Sequence, residues 1–153
     1  MNCANVLITI IILFGFQNAL ANEQPKAFFD TYIQLGNNFD SSITDLYLDT
    51  AKIHTYRKYP HSLERAMVLN GEQWKKLAVK IMPLAKAQDD KSIFSDVTIS
   101  NYNNGYKIKA NRYSSRKCYM DFGYYMIVKP DETGKLKINE EYSETQPESN
   151  CKE

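Results

Sequence analysis

From Ile93 to Tyr142 apolar and polar residues alternate with a period of two, and before that stretch apolar residues recur mainly at helical spacing. In Ile93 to Tyr102 the residues Ile93, Val97 and Ile99 share one alternate face. Asn103-Asn104-Gly105 then supplies residues that tolerate positive φ, which predicts a hairpin. Tyr106 to Arg116 resumes the alternation, with Tyr106, Ile108, Ala110 and Arg112 on one face and Lys107, Lys109, Asn111 and Tyr113 on a water-facing side. Tyr119 to Lys129 is aromatic and β-branched, Pro130 to Gly134 reads as a turn, and Lys135 to Tyr142 alternates Leu136 and Ile138 against Lys135, Lys137 and Asn139. Four such runs joined by turn chemistry predict a meander.

The first half is mixed. After Pro25, a residue suited to a first helical turn, Phe28, Phe29, Tyr32, Ile33 and Leu35 define an amphipathic helix that Asn37-Asn38 ends. Asp40 and Ser41 can cap a short second helix through Ile43, Leu46 and Tyr47. Ala51 to Tyr59 alternates as a first strand, with Ala51, Ile53 and Thr55 opposite Lys52, His54 and Tyr56, and Glu64 to Leu69 as a short second one. Asn70-Gly71 leads into a helix striped by Trp74, Leu77, Ala78, Ile81 and Ala85, which Pro83 is expected to kink or end. Helix, short helix, two strands, helix and meander make an α+β domain with the helices on one face of the sheet.

The ends of the chain add compartment. Residues Met1 to Ala21 carry no Asp, Glu, Lys or Arg, and the apolar run Val6 to Phe16 has the length of a signal peptide rather than of a spanning helix. Ala19-Leu20-Ala21 fits a cleavage site, so the mature chain is expected to be exported, to a bacterial periplasm or the exterior, and to have no membrane association after cleavage. The organisation expected is signal peptide 1–21, one domain 22–142, and a polar tail 143–153. The formal charge of +1 gives no argument for nucleic acid or an anionic membrane as partner. Two cysteines survive processing, Cys118 and Cys151, and in an exported chain an even count favours a disulfide that would tether the tail. The two histidines, His54 and His61, make no metal-ligand spacing with these thiols, and neither metal nor cofactor is expected.

The run Phe29-Asp30-Thr31-Tyr32-Ile33-Gln34-Leu35-Gly36-Asn37-Asn38-Phe39-Asp40, followed by Leu46-Tyr47-Leu48-Asp49-Thr50-Ala51, resembles the opening of the nuclear transport factor 2-like (NTF2-like, SnoaL-like, cystatin-like α+β cone) superfamily. Leu69-Asn70-Gly71-Glu72 before a helix, and Asp131 to Ile138 as a last hairpin, fit the same pattern across nearly all of the mature chain. The resemblance implies a curved, mostly antiparallel sheet whose concave face and helices enclose a cone-shaped cavity. It also implies a fold that hosts isomerases and dehydratases as well as noncatalytic binding domains, so fold alone does not assign function.

The isomerases of this fold use a helix tyrosine, a first-strand carboxylate base and a protonated acid. By the resemblance Tyr32 matches the tyrosine, Thr55 stands where the base would be and Met126 where the acid would be; threonine cannot take a carbon-bound proton and methionine cannot donate one. His54 reads as facing solvent, His61 sits beside Pro60 in a loop, and Asp121 shares an outward phase with Tyr119 and Tyr125. No Gly-rich phosphate loop and no Ser-His-Asp order is present. The expected pocket is therefore apolar, lined by Tyr32, Tyr47, Trp74, Phe122, Tyr124 and Met126, with Thr55, Arg57, Arg112 and Glu140 toward its mouth. Arg112 would either receive a carboxylate or close the core as an ion pair with Glu140.

These expectations converge on a noncatalytic binding protein for a small apolar or weakly anionic ligand. The second reading is a protein-interaction module, an immunity- or inhibitor-like protein or a homodimer, using a sheet face of Tyr56, Lys58, Tyr59, Lys107, Lys109, Tyr113, Tyr119 and Tyr125. The third is an enzyme whose site the sequence does not reveal.

Overall fold

A computed structural model describes residues 23–147 and 149–151. The signal segment and its cleavage point lie outside them. Helix α1 covers residues 23–37 and a 3₁₀ turn covers Ser41–Leu46. Strands β1 (Tyr47–Lys58) and β2 (Glu64–Asn70) lead to α2 (Gly71–Ala87). Five strands follow: β3 (Ser92–Tyr102), β4 (Gly105–Ser114), β5 (Tyr119–Asp121), β6 (Tyr125–Pro130) and β7 (Leu136–Thr145). All seven form one sheet in the order β2-β1-β7-β6-β4-β3, with β5 beside β4. Every pairing is antiparallel except β1 with β7, which returns the last strand beside the first. The α+β architecture, a curved and unclosed sheet with helices on one face, is the one expected.

Local chemistry accounts for the element ends. Asp40 accepts from the Ser42 amide to start the 3₁₀ turn. At the start of α2, Asn70 and Gln73 exchange side-chain to backbone hydrogen bonds in a capping box. The next residue must be glycine, because a Cβ on Gly71 would run into the Leu48 carbonyl of β1. The β3–β4 turn has Tyr102 opposite Gly105 with Asn103 and Asn104 both at positive φ, as the two-residue hairpin requires. Pro83 lies inside α2, which continues to Ala87 instead of ending there. Tyr47 begins β1 rather than closing the short helix.

Three strands depart from simple alternation. In β3 the register shifts between Ser95 and Thr98, around Asp96 at φ 52°, so Phe94 and Ile99 pack against the core while Ile93 and Val97 are exposed. The predicted strand Tyr119 to Lys129 divides into β5 and β6 at Phe122–Tyr124. Its phase inverts there, so Tyr119 and Asp121 are buried and Phe122 is 76% exposed. In β7 the pairing with β6 jumps from Ile127 opposite Glu140 to Val128 opposite Ile138, leaving Asn139 unmatched. That strand also runs to Thr145, so Ser143, Glu144 and Thr145 belong to the sheet and not to a tail.

The core gathers Phe29 of α1, Tyr47, Ala51 and Ile53 of β1, Ile108 and Ala110 of β4, Met126 and Val128 of β6, and Ile138 of β7. Asn37 fastens the end of α1 to β3 through both its amide atoms, which exchange hydrogen bonds with the Ser92 backbone. Cys118 and Cys151 form a disulfide across 33 positions, joining the stretch before β5 to the chain end. The Asn150 amide donates to the Lys117 carbonyl beside it. Closing a loop of that length restricts the unfolded chain, so Cys118→Ser should lower stability by roughly 3–4 kcal/mol. Urea unfolding of the oxidised protein and the variant would measure it.

Candidate functional site

Between the sheet and the two helices lies a cavity of about 210 Å³. Tyr32, Ile33 and Gly36 of α1 form one wall and Trp74, Ala78, Ile81, Met82 and Ala85 of α2 another. The sheet supplies Tyr47, Ile53, Phe94, Arg112, Glu141 and Ser143, with Tyr124 from just before β6. The helical spacing that predicted the α2 stripe therefore gives the pocket one of its walls.

Glu141 is the polar centre of this space. Its residue is only 4% exposed, and three phenols donate to its carboxylate: Tyr32 to Oε1 at 2.7 Å, Tyr124 to Oε1 at 2.8 Å and Tyr47 to Oε2 at 2.5 Å. The bulge at Asn139 places it there. Before the bulge the inward phase of β7 is even-numbered, with Ile138 fully buried; after it the phase is odd-numbered, with Glu141 and Ser143 at the cavity. Burial first, and the Glu141 charge second, hold the Tyr32, Tyr47 and Tyr124 phenols well above their ordinary range.

A second buried polar group flanks the first. Arg112 donates to Asp121 Oδ2 from Nε and Nη2, both at 3.4 Å, and to the Glu144 carbonyl at 2.7 Å; its guanidinium also lies 5.9 Å from the Tyr124 ring centre. Asp121, fully buried, additionally accepts the amides of Gly123 and Glu144. Desolvation raises its pKa against the pull of those amides and of the guanidinium. The arginine is thus committed to structure. The expected pair with Glu140 does not form, because the β7 bulge turns Glu140 to the opposite face, where it accepts from Tyr125 at 2.7 Å and lies 3.6 Å from His54 Nε2.

Of the ten residues expected around the cavity, Tyr32, Tyr47, Trp74, Arg112 and Tyr124 are brought together. Five are not. Thr55 and Arg57 lie beyond the cavity toward the end of β1, where Thr55 reaches the Met67 carbonyl across the β1–β2 pair and Arg57 the Thr145 hydroxyl. Met126 is inward but fully enclosed in the core, Phe122 is on the surface at the phase inversion, and Glu140 is on the outer face. Glu141 escaped sequence reasoning because alternation was carried through an invisible bulge. A signal existed: three inward tyrosines in an apolar pocket need an acceptor, and Glu140-Glu141 offers one in either phase.

One buried side-chain polar atom among the described residues has no partner, the indole Nε1 of Trp74. Its ring lies 6.1 Å from that of Tyr47, centre to centre, where the α2 wall meets the sheet. Among the described residues no cluster of three His, Cys, Asp or Glu could hold a metal ion.

The outer sheet face carries its own aromatic and ionic layer. Tyr125 and Tyr142 stack at 5.5 Å, Lys107 Nζ sits 4.1 Å over the Tyr125 ring, and Lys58 pairs with Glu144 at 2.7 Å. Tyr119, expected on this face, is instead buried on the inner one beside Asp121.

The phenol cluster ties stability to alkaline pH. Because the three folded-state pKa values lie above the unfolded value near 10, the stabilisation is complete below that pH and falls as pH rises beyond it. Each phenol that ionises only in the unfolded chain adds a slope of about 1.4 kcal/mol per pH unit. Urea unfolding followed across the alkaline range should show that decline, and Tyr124→Phe should make it shallower by one phenol.

No protein-family model and no curated protein matches the sequence. Solved structures do. An NTF2-like protein of unknown function from Pseudomonas putida KT2440 superposes with a TM-score of 0.61 at 10% identity, over 83% of this chain and 87% of that one. The yeast UBP3-associated protein Bre5 gives a TM-score of 0.61 at 15% identity, over 80% and 93%. An NTF2-like protein with a cystatin-like fold from Novosphingobium aromaticivorans gives 0.54 at 8%, over 94% and 89%. With the seven-stranded curved sheet, the helices on its inner face and the cavity between them, these likenesses establish that the chain has the NTF2-like, cystatin-like α+β cone fold.

Proposed function

We propose that this chain is an exported binding protein that holds a small, largely apolar ligand in the cone. The observation that carries the reading is the cavity of about 210 Å³ itself, lined mainly by apolar and aromatic side chains, with Trp74, whose buried indole N–H has no partner, among them. A buried donor without an acceptor costs about 1–3 kcal/mol, and a ligand oxygen or nitrogen accepting from it would recover that loss. The anionic ligand that a free Arg112 would have favoured loses its support, since Asp121 and the Glu144 carbonyl already occupy the guanidinium. Export is supported by the uncharged, apolar first twenty-one residues and by the Cys118–Cys151 disulfide, which oxidising compartments preserve.

A specific surface favours a second reading, that of a protein-interaction module. Ile93, Tyr113 and Met120 stand directly opposite one another across β3, β4 and β5 on the outer face, and Ile93 is 57% exposed. With exposed Phe122 two residues beyond Met120, they make an apolar row of the kind that partner surfaces use.

Trp74 is the only tryptophan of the chain, so its fluorescence reports directly on the cavity. Native mass spectrometry of the mature protein from its own compartment should release a stoichiometric small molecule. Stripping that molecule should shift the Trp74 emission, and adding it back should restore it. An empty protein that self-associates, and whose association Tyr113→Ala abolishes while leaving Trp74 emission unchanged, would replace this reading with the second.

A further inference from the structure

We propose that the ligand of the cone is a protonated amine, whose ammonium donates to Oε2 of Glu141 while its apolar body lies among the aromatic rings. The inference rests on the binding reading above and specifies its chemistry. A carboxylate has about four lone-pair sites. Tyr32 and Tyr124 occupy both sites of Oε1 and Tyr47 occupies one of Oε2, so one acceptor site remains, on a carboxylate that lines the cavity and is itself only 4% exposed.

Charge points the same way. Arg112 is the one cationic side chain lining the cavity among the described residues, and Asp121 neutralises it. Glu141 makes no salt bridge: its partners are neutral phenols. Asp90, half-buried, also lines the cavity, so the uncompensated charge around it is negative. A buried carboxylate held only by hydroxyls gains most from a cation that is itself desolvated on binding.

The walls suit such a guest. Tyr32, Tyr47, Trp74, Phe94 and Tyr124 surround the space, and aromatic faces attract ammonium groups most strongly where water is excluded. Tyr47 links the two open polar groups, since its hydroxyl is on Glu141 Oε2 and its ring neighbours that of Trp74. A ligand that also carries an acceptor, such as an amino alcohol or an amino ether, would satisfy Glu141 and Trp74 together.

The test is a charge series on one molecular frame. Benzylamine, benzyl alcohol and benzoate are titrated into the full chain at neutral pH, with Trp74 emission as the readout and thermal unfolding as the check. Benzylamine is expected to bind saturably and at least about tenfold more tightly than either analogue, the margin of one charge-assisted hydrogen bond. Glu141→Gln, if folded by circular dichroism, should abolish that preference, so that benzylamine binds no more tightly than benzyl alcohol to the variant. Benzyl alcohol or benzoate binding as tightly as benzylamine to the unmodified protein would overturn the amine assignment and leave the cavity reading standing. No saturable change with any of the three would overturn both.

Discussion

The fold closes around a buried carboxylate. Glu141 carries its charge into the space between sheet and helices, where an unpartnered carboxylate would be untenable. Its three hydroxyl donors come from α1, from the first residue of β1 and from the residue before β6, while Glu141 belongs to β7. One side chain thus sets the relative positions of a helix and three parts of the sheet. Hydrogen bonds to a charged group contribute roughly 1.5–3 kcal/mol each, so the knot stabilises only if all its members arrive together.

The second knot, Arg112 with Asp121 and the Glu144 backbone, stands beside the first, its guanidinium 5.9 Å from the Tyr124 ring centre. It joins β4, β5 and β7, and the disulfide begins three residues before Asp121. Between the two knots the surface is apolar and aromatic, with Phe94 edge-on to both Phe29 and Tyr124 at 5.2 and 5.1 Å. The cavity is what remains once both polar clusters have formed and the helices have covered the sheet. Its chemistry is consequently that of the few groups left unsatisfied, the Trp74 indole and one site on Glu141.

The two faces of the sheet divide the charges differently. On the outer face lysines and glutamates interleave with tyrosines, so Lys58, Lys107, Glu140 and Glu144 each have a partner at contact distance and remain partly hydrated. Pairs of that kind contribute little to stability. On the inner face carboxylates are fewer and deeply buried, so each is held by several donors. Glu140 and Glu141, adjacent in sequence, show the contrast: one meets a tyrosine at the rim of solvent and the other meets three in the interior.

The sequence by itself determined the class of fold and most of its elements, because helix caps, hairpin turns and alternation are local. Asn70-Gly71, Asn103-Asn104-Gly105 and the α2 stripe could be read without a partner strand, and so could Arg112 on the inner face with Ile108 and Ala110. The cysteine pair followed from composition and compartment. What only the tertiary structure decided was phase. The register shifts at Asp96 and Asn139 and the break at Phe122 each invert which residues face inward. None leaves a mark in the hydrophobic pattern, since a bulge is chosen by how two distant strands must curve to enclose a core. Those inversions put Glu141 rather than Glu140 in the cavity, bury Asp121 against Arg112 and expose Phe122. The polar centre of the site was therefore a property of strand pairing, while its aromatic walls were already written in the spacing of Tyr32, Tyr47, Trp74 and Tyr124.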